Sequence, residues 1–265
     1  MGLHVAACQL DSAWEDKGES CRRAAALLER ARPPAGALVV FPEMFATGFS
    51  MNVESTAEGE AREAERFLAA TARRLRVCAL GGVVGGAAPG APALNQAVAF
   101  GADGSELARY SKIHPFSYAG EDRRFARGRD VVTFAWGGFA VAPFVCYDLR
   151  FPEVFRAAAL GGATVLAVIA NWPAPRAEHW LALLTARAIE NQAYVVGVNR
   201  CGRDPHAAYP GGSRIVDPRG QVIAEAGSDE CVVSAELDLE GLLAYRREFP
   251  VLADADPRFL PGSRR

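Results

Sequence analysis

Short apolar runs recur along this chain, and each stops abruptly at a glycine, a proline or a polar residue. Leu3 to Leu10, Ala37 to Phe41, Cys78 to Val84, Leu94 to Phe100, Phe139 to Val145, Val165 to Ala170, Tyr194 to Asn199 and Cys231 to Leu237 have strand length and strand composition. Glu106 to Tyr110, Val131 to Trp136, Ser213 to Val216 and Val222 to Glu225 supply hairpin partners across Asp103-Gly104, Gly137-Gly138 and Asp217-Pro218-Arg219-Gly220. Between them, Glu15 to Arg32, Glu58 to Arg76, Pro152 to Leu160, Ala177 to Asn191 and Asp238 to Arg247 place apolar residues at helical spacing. Sheets this apolar must be covered on both faces. The alternation predicts one α/β domain with two packed sheets and outer helices. The chain has 265 residues and half are hydrophobic, ample for one large core. No linker and no solenoid repeat divides it, so a single domain over 1–265 is expected. Gly85 to Pro92, rich in Gly, Ala and Pro, reads as a surface connection. It lacks the lysine and following helix of a phosphate loop. Phe249 to Arg265 is a Pro-containing tail.

Charge and cysteine usage exclude several classes. Lys+Arg total 29 against Asp+Glu 31, a formal net charge of −2, so nothing favours a nucleic-acid backbone. The six cysteines, Cys8, Cys21, Cys78, Cys146, Cys201 and Cys231, are scattered without a CxxC or CxxH pair. That pattern gives no metal site and suits free thiols in a reducing compartment. The N-terminus lacks a basic segment and a long apolar core, and no stretch reaches the ~20 apolar residues of a membrane span. A soluble cytoplasmic protein is expected, with no membrane or nucleic-acid partner, no metal and no cofactor.

Residues 139–153 carry the chemistry. The run Val141 to Val145 ends at Cys146, polar residues follow, and Phe151-Pro152-Glu153 opens a helix with an acid in its first turn. A thiol at a strand end is held by rigid backbone and can face a cleft, as a nucleophile must. Taken alone, a buried packing cysteine is the ordinary reading. Two other strand ends change it. Glu43 leaves a core strand among apolar and aromatic neighbours, where desolvation is expected to raise its pKa and suit it to acid and base work. Lys112 ends a strand between Tyr110, Ile113 and Phe116, and beside a lysine a thiol is expected to be drawn toward thiolate. Strand ends of α/β sheets are where sites form. An acid, an ammonium and a thiol, with the backbone N–H after the nucleophile, make an acyl-transfer set without histidine. Of the four histidines, His114 and His179 could serve a Cys-His enzyme, but neither shows an orienting Asp or Asn in sequence. Arg150 is expected in an ion pair with Asp148 or Glu153, and Arg187 with Glu190 in a structural or interface pair.

Phe41-Pro42-Glu43, Tyr110-Ser111-Lys112-Ile113-His114 and Val145-Cys146-Tyr147-Asp148-Leu149-Arg150-Phe151-Pro152-Glu153 resemble, in order and spacing, the three signature motifs of the nitrilase superfamily of carbon–nitrogen hydrolases. The resemblance runs from residue 3 to about residue 252. It implies a four-layer αββα sandwich and a Glu43–Lys112–Cys146 triad. A second glutamate, Glu121, would assist by fixing Lys112 or the substrate amide. It implies no cofactor, and a homodimer joined through helices near the nucleophile and the tail of about 249–265. Pro42 to Phe49, Ala170-Asn171-Trp172-Pro173-Ala174-Pro175-Arg176, His179-Trp180 and Thr185 to Gln192 are similar to the bacterial ω-amidase branch, which acts on 2-oxoglutaramate and 2-oxosuccinamate. N-carbamoyl amines or deaminated glutathione are the alternative substrates, and a non-catalytic scaffold is the alternative class. In the mechanism so implied, Glu43 takes the Cys146 proton. Lys112 and the Tyr147 backbone N–H hold the oxyanion. Arg176 is the candidate for the substrate carboxylate, with Trp172 and Phe49 as candidate pocket walls.

Overall fold

Alternation along the first strand, β1 (Gly2–Gln9), sets the architecture. Leu3, Val5 and Ala7 enter one buried cluster, while Ala6, Cys8 and the following Leu10 enter another. A strand apolar on both faces needs a layer on each side. The computed structural model describes residues 2–86, 92–256 and 258. After β1 come α1 (Lys17–Ala31), β2 (Leu38–Val40), α2 (Val53–Thr56), α3 (Glu63–Leu75), β3 (Cys78–Gly85), β4 (Leu94–Phe100) and β5 (Glu106–Ser111). The second half runs β6 (Phe134–Trp136), β7 (Phe139–Val145), α4 (Pro152–Leu160), β8 (Val165–Ala170), α5 (Ala177–Asn191) and β9 (Tyr194–Asn199). It ends with β10 (Cys201–Arg203), β11 (Ala208–Pro210), β12 (Arg214–Val216), β13 (Val222–Glu225), β14 (Cys231–Asp238) and α6 (Leu239–Glu248).

Two six-stranded sheets form, in the orders β14-β1-β2-β3-β4-β5 and β13-β12-β9-β8-β7-β6. At the centre of each lie parallel neighbours, β1-β2-β3 in one and β7-β8-β9 in the other. The sheets face each other through Leu38, Val40, Leu80 and Ala97 on one side and Phe139, Val141 and Val145 on the other. Leu27 and Leu28 of α1 and Leu68 and Ala72 of α3 cover the outer face of the first sheet. Trp180, Leu184 and Ala188 of α5 and Phe155 of α4 cover the second. Each such side chain taken wholly out of water contributes ~1.5–3 kcal/mol. The result is the expected αββα sandwich.

Caps fix the element ends. Asp16 accepts from the Glu19 N–H at 2.9 Å at the start of α1, and Asp238 does the same for Glu240 at 3.0 Å on α6. The second helix begins at Glu63 rather than at Glu58. Glu58 instead turns its carboxylate onto the Ala64 and Glu65 N–H groups at 3.1 and 3.4 Å, capping the helix it was expected to open. The β10–β11 hairpin and the short α2 carry too little periodicity to be read from sequence. Most of the Gly85 to Pro92 connection and of the tail after residue 256 lies outside the described residues.

Candidate active site

Strand ends from the two sheets meet at one edge of the sandwich. β2 runs into Glu43, β5 into Lys112, β7 into Cys146, and β8 into Asn171 and Trp172. The Glu43 turn lies directly on β3. A Cβ at Gly82 would stand 2.5 Å from Glu43 Cα, so only glycine admits this approach. Pro42 carbonyl accepts from Gly82 N–H at 3.0 Å, and Gly82 carbonyl accepts from Phe45 N–H at 3.1 Å. Cys146 has φ 48, the left-handed region that non-glycine residues avoid. This strained turn points the thiol out of the β7 line into the cleft.

The polar side chains form one network. Lys112 Nζ donates to Glu43 Oε1 at 2.9 Å and to Glu121 at 3.0 and 2.8 Å. Asn95 Nδ2 bridges the same two carboxylates at 2.7 and 2.8 Å. The Asn171 N–H donates to Glu43 Oε2 at 2.9 Å, and the Phe116 N–H to Glu121 Oε2 at 2.6 Å. Glu43, Lys112 and Glu121 are all buried. Burial pushes the Glu43 pKa up, but the Lys112 charge and the hydrogen bonds from Lys112, Asn95 and Asn171 bring it below its ordinary value. This reverses the expected rise. It is Glu121 that stands above the usual carboxylate range, through burial and the neighbouring Glu43 charge, in spite of Lys112. Lys112 is held firmly as ammonium because Glu121 and Glu43 outweigh its burial. The Cys146 thiol is also reversed. Burial, the Glu43 charge and a hydrogen bond to Glu43 hold it well above its ordinary value against the pull of Lys112. It rests as a neutral thiol facing a carboxylate that can take its proton.

A cavity of about 540 Å³ opens over Cys146. Phe49, Trp172 and Arg176 line it, as does the Tyr147 that follows Cys146. Phe49 packs its ring 5.5 Å from Lys112 Nζ. Trp172 donates its ring N–H to the Arg176 carbonyl at 2.7 Å, and Arg176 spreads its guanidinium over Phe116 at 5.4 Å. Arg150 departs from expectation. It pairs with neither Asp148 nor Glu153; it lies 4.8 Å over the Trp172 ring, 3.2 Å from His179 Nδ1, and lines the cavity. His114 departs as well, for its Nδ1 lies 2.8 Å from Asp148 Oδ1. Arg187 meets Glu190 at 2.9 Å and donates to the Leu149 carbonyl at 2.6 Å, a structural tie of α5 to the Cys146 turn.

Sequence reading missed Asn95, Asn171 and the hairpin residues His206, Ala207, Ala208 and Tyr209, which form a cavity wall. The one signal for Asn95 was a polar residue inside the apolar run Leu94 to Phe100; in the structure its carbonyl accepts the Lys112 N–H at 2.8 Å. Among the described residues no group of His, Cys, Asp or Glu is placed to hold a metal ion.

The carbon-nitrogen hydrolase family model matches residues 4–247. A 2-oxoglutaramate amidase of Bacillus subtilis is 34% identical over 94% of this chain and 96% of its own. An omega-amidase of Yersinia enterocolitica, YafV, is 40% identical over 96% and 97%. A crystal structure of a CN-hydrolase superfamily protein from Xanthomonas campestris, with an arsenic adduct in its active site, superposes with TM-score 0.89 at 32% identity, covering 97% of this chain and 98% of that one.

Proposed function

This chain belongs to the carbon-nitrogen hydrolase family, and from that membership we propose that it hydrolyses the terminal amide of a small 2-oxo acid amide, such as 2-oxoglutaramate or 2-oxosuccinamate, to the acid and ammonia. The observation that carries the reading is the Glu43–Lys112–Glu121 cluster beside a thiol on a strained turn at the cavity floor. Glu43 takes the Cys146 proton as Sγ attacks the amide carbon. Lys112 Nζ and the Tyr147 N–H, whose turn has no intrahelical acceptor for it, hold the oxyanion. Glu43 returns the proton to the leaving nitrogen, and ammonia departs from a thioester on Cys146. Glu43 then takes a proton from water as the water oxygen attacks the thioester carbon. The carbon–sulfur bond breaks, the acid leaves and the thiol is restored. Glu121 touches no reacting atom in this scheme and holds Lys112 in place.

The substrate end must meet cations. Arg150 and Arg176 both line the cavity, and neither has a carboxylate within ion-pair distance among the described residues. Trp172 ties them together, one over its ring and one on its N–H. They recognise the carboxylate of the oxo acid, and the aromatic walls of Phe49 and Trp172 bound the space around the reacting carbon. Pairing of two copies through the outer faces of α4, α5 and α6 belongs to the same reading, since Leu160, Ile189, Leu243 and Phe249 are exposed there. Free cysteines fit a reducing compartment such as the cytoplasm. No helix among the described residues is long and apolar enough to cross a membrane.

The test is ammonia release across 2-oxoglutaramate, 2-oxosuccinamate, glutamine, N-carbamoyl-β-alanine and a simple nitrile. Turnover of the two oxo-amides ahead of the others, and its loss in Cys146→Ala, is the expected result. Preference for the carbamoyl compound would overturn the substrate class, and ammonia release by Cys146→Ala would overturn the nucleophile.

A further inference from the structure

One buried carboxylate outside the catalytic cluster touches both sides of it. Asp148 is fully buried in the turn that follows Cys146. Its Oδ2 accepts the Tyr110 hydroxyl at 2.7 Å and the Val145 N–H at 3.1 Å. Its Oδ1 accepts the His114 N–H at 2.9 Å and lies 2.8 Å from His114 Nδ1. Tyr110 stands two residues before Lys112 on β5 of the first sheet, and His114 two residues after it in the loop that follows β5. Val145 immediately precedes Cys146, on the second. The carboxylate therefore grips the lysine segment on both flanks and the nucleophile strand at its last residue. His114 is itself locked, with its ring stacked on Phe151 at 3.8 Å.

We propose that Asp148 is the positioning residue that bolts the Lys112 segment to the Cys146 turn, fixing ammonium and thiol at reacting distance across the two sheets. The inference rests on the roles proposed above for Lys112 and Cys146. Coulomb attraction alone would bring these groups together, but not in register. They sit on separate sheets, and their strands can slide by fractions of an ångström at small energetic cost. A displacement near 1 Å can cost ~10²-fold in rate. Four hydrogen bonds to one buried charge remove that freedom. They also hold the left-handed Cys146 backbone, because the Val145 N–H is tied down by a group two residues beyond the thiol.

The test reads the thiol directly, so it stays informative whatever the substrate proves to be. The rate of Cys146 alkylation by iodoacetamide is followed by mass spectrometry of its peptide, beside kcat and KM on an oxo-amide. Asp148→Asn removes a negative charge beside the thiol. Through charge alone it would speed alkylation; loss of positioning slows it. The expected result is alkylation and kcat slowed by roughly 10-fold or more, with kcat falling by a larger factor than KM rises. Tyr110→Phe removes only the hydroxyl bond to Asp148 Oδ2, on the lysine side. It should slow both rates by a smaller factor, and add no more than about twofold on top of Asp148→Asn, as partners in one network do. If Asp148→Asn fails to fold, Tyr110→Phe carries the test by itself. Unchanged or faster alkylation in the folded variants, with only a lower melting temperature, would overturn the proposal. Full additivity of the two substitutions would overturn it too.

Discussion

At the residue scale, the proposed reaction has a thiol and an acid exchange one proton, and the pH profile reports which of them starts with it. Burial and the Glu43 charge hold Cys146 above its ordinary value, while Lys112 and three hydrogen bonds hold Glu43 below its own. Activity should therefore not climb through the ordinary thiol region near ~8.5, because no free thiolate is being titrated. Its acid limb should lie below the usual carboxylate value. Glu43→Gln should lose about 10²–10⁴-fold in kcat/KM at neutral pH, and its residual rate should rise with pH. A parent profile that rises tenfold per pH unit through 8 would remove Glu43 as the base. The lysine gives a stability prediction. Lys112→Met leaves Glu43 and Glu121 buried without their common cation, which should cost ~3–5 kcal/mol in urea unfolding at neutral pH. In that variant the carboxylates have folded pKa values above the unfolded ones. Charging them destabilises the fold as pH rises, so the deficit should narrow from pH 7 toward pH 5. A deficit that widens on acidification would contradict the assignment of charge in the cluster.

At the element scale, the long strands and helices were legible because each has one dominant period. β1, β7, β8 and α5 fall where apolar pattern and capping residues place them. The polar groups of the site were legible from pattern where they end such a strand, as Glu43, Lys112 and Cys146 do, whereas Glu121, in the loop after β5, was legible only through the family resemblance. Gly82 lies inside β3, and the reason for a glycine there, the approach of the Glu43 turn, shows only in the fold. The β10–β11 hairpin was illegible for a different reason. Its strands are three residues each, and a buried arginine holds it. Arg200 donates to the Ser12 carbonyl at 3.1 Å and to Asp11 at 3.1 Å, and its guanidinium lies 4.4 Å from the Tyr209 ring. Asp204 in turn accepts the Tyr209 hydroxyl at 2.7 Å and the His206 and Ala207 N–H groups at 2.8 Å. No local pattern announces contacts between residues nearly two hundred positions apart. Tyr209→Phe frees one hydrogen bond of the cavity wall, worth about 0.5–1.5 kcal/mol, and should raise KM roughly 2–10-fold while kcat holds. A KM at the parent value would show that the wall does not depend on this clamp.

For the whole molecule, the two sheets hide their apolar faces from water through the inner core and the helical layers, and little apolar surface remains. Among the described residues the exposed large apolar side chains include Leu107, Tyr118, Val222 and Ile223 on strands and loops, and Leu160, Ile189, Leu243 and Phe249 on or just past α4, α5 and α6, with Ile189 50% and Phe249 58% exposed. Scattered apolar residues are ordinary on a monomer, and the four on the outer helices offer a face to a second copy. The nucleophile turn hangs from this layer, since Arg187 of α5 holds the Leu149 carbonyl. A second copy seated on α5 would therefore stiffen the catalytic turn as well as bury the patch. A stable pair needs roughly 1,200–2,000 Å² of buried surface, which helix faces of this length can supply. Sedimentation should then give about twice the 28.2 kDa of one chain. Ile189→Asp and Leu243→Asp should each shift the mass toward one chain, and Ile189→Asp should lower kcat through the loosened turn. A parent that sediments as a single chain at micromolar concentration would end the pairing proposal and leave the active site as derived.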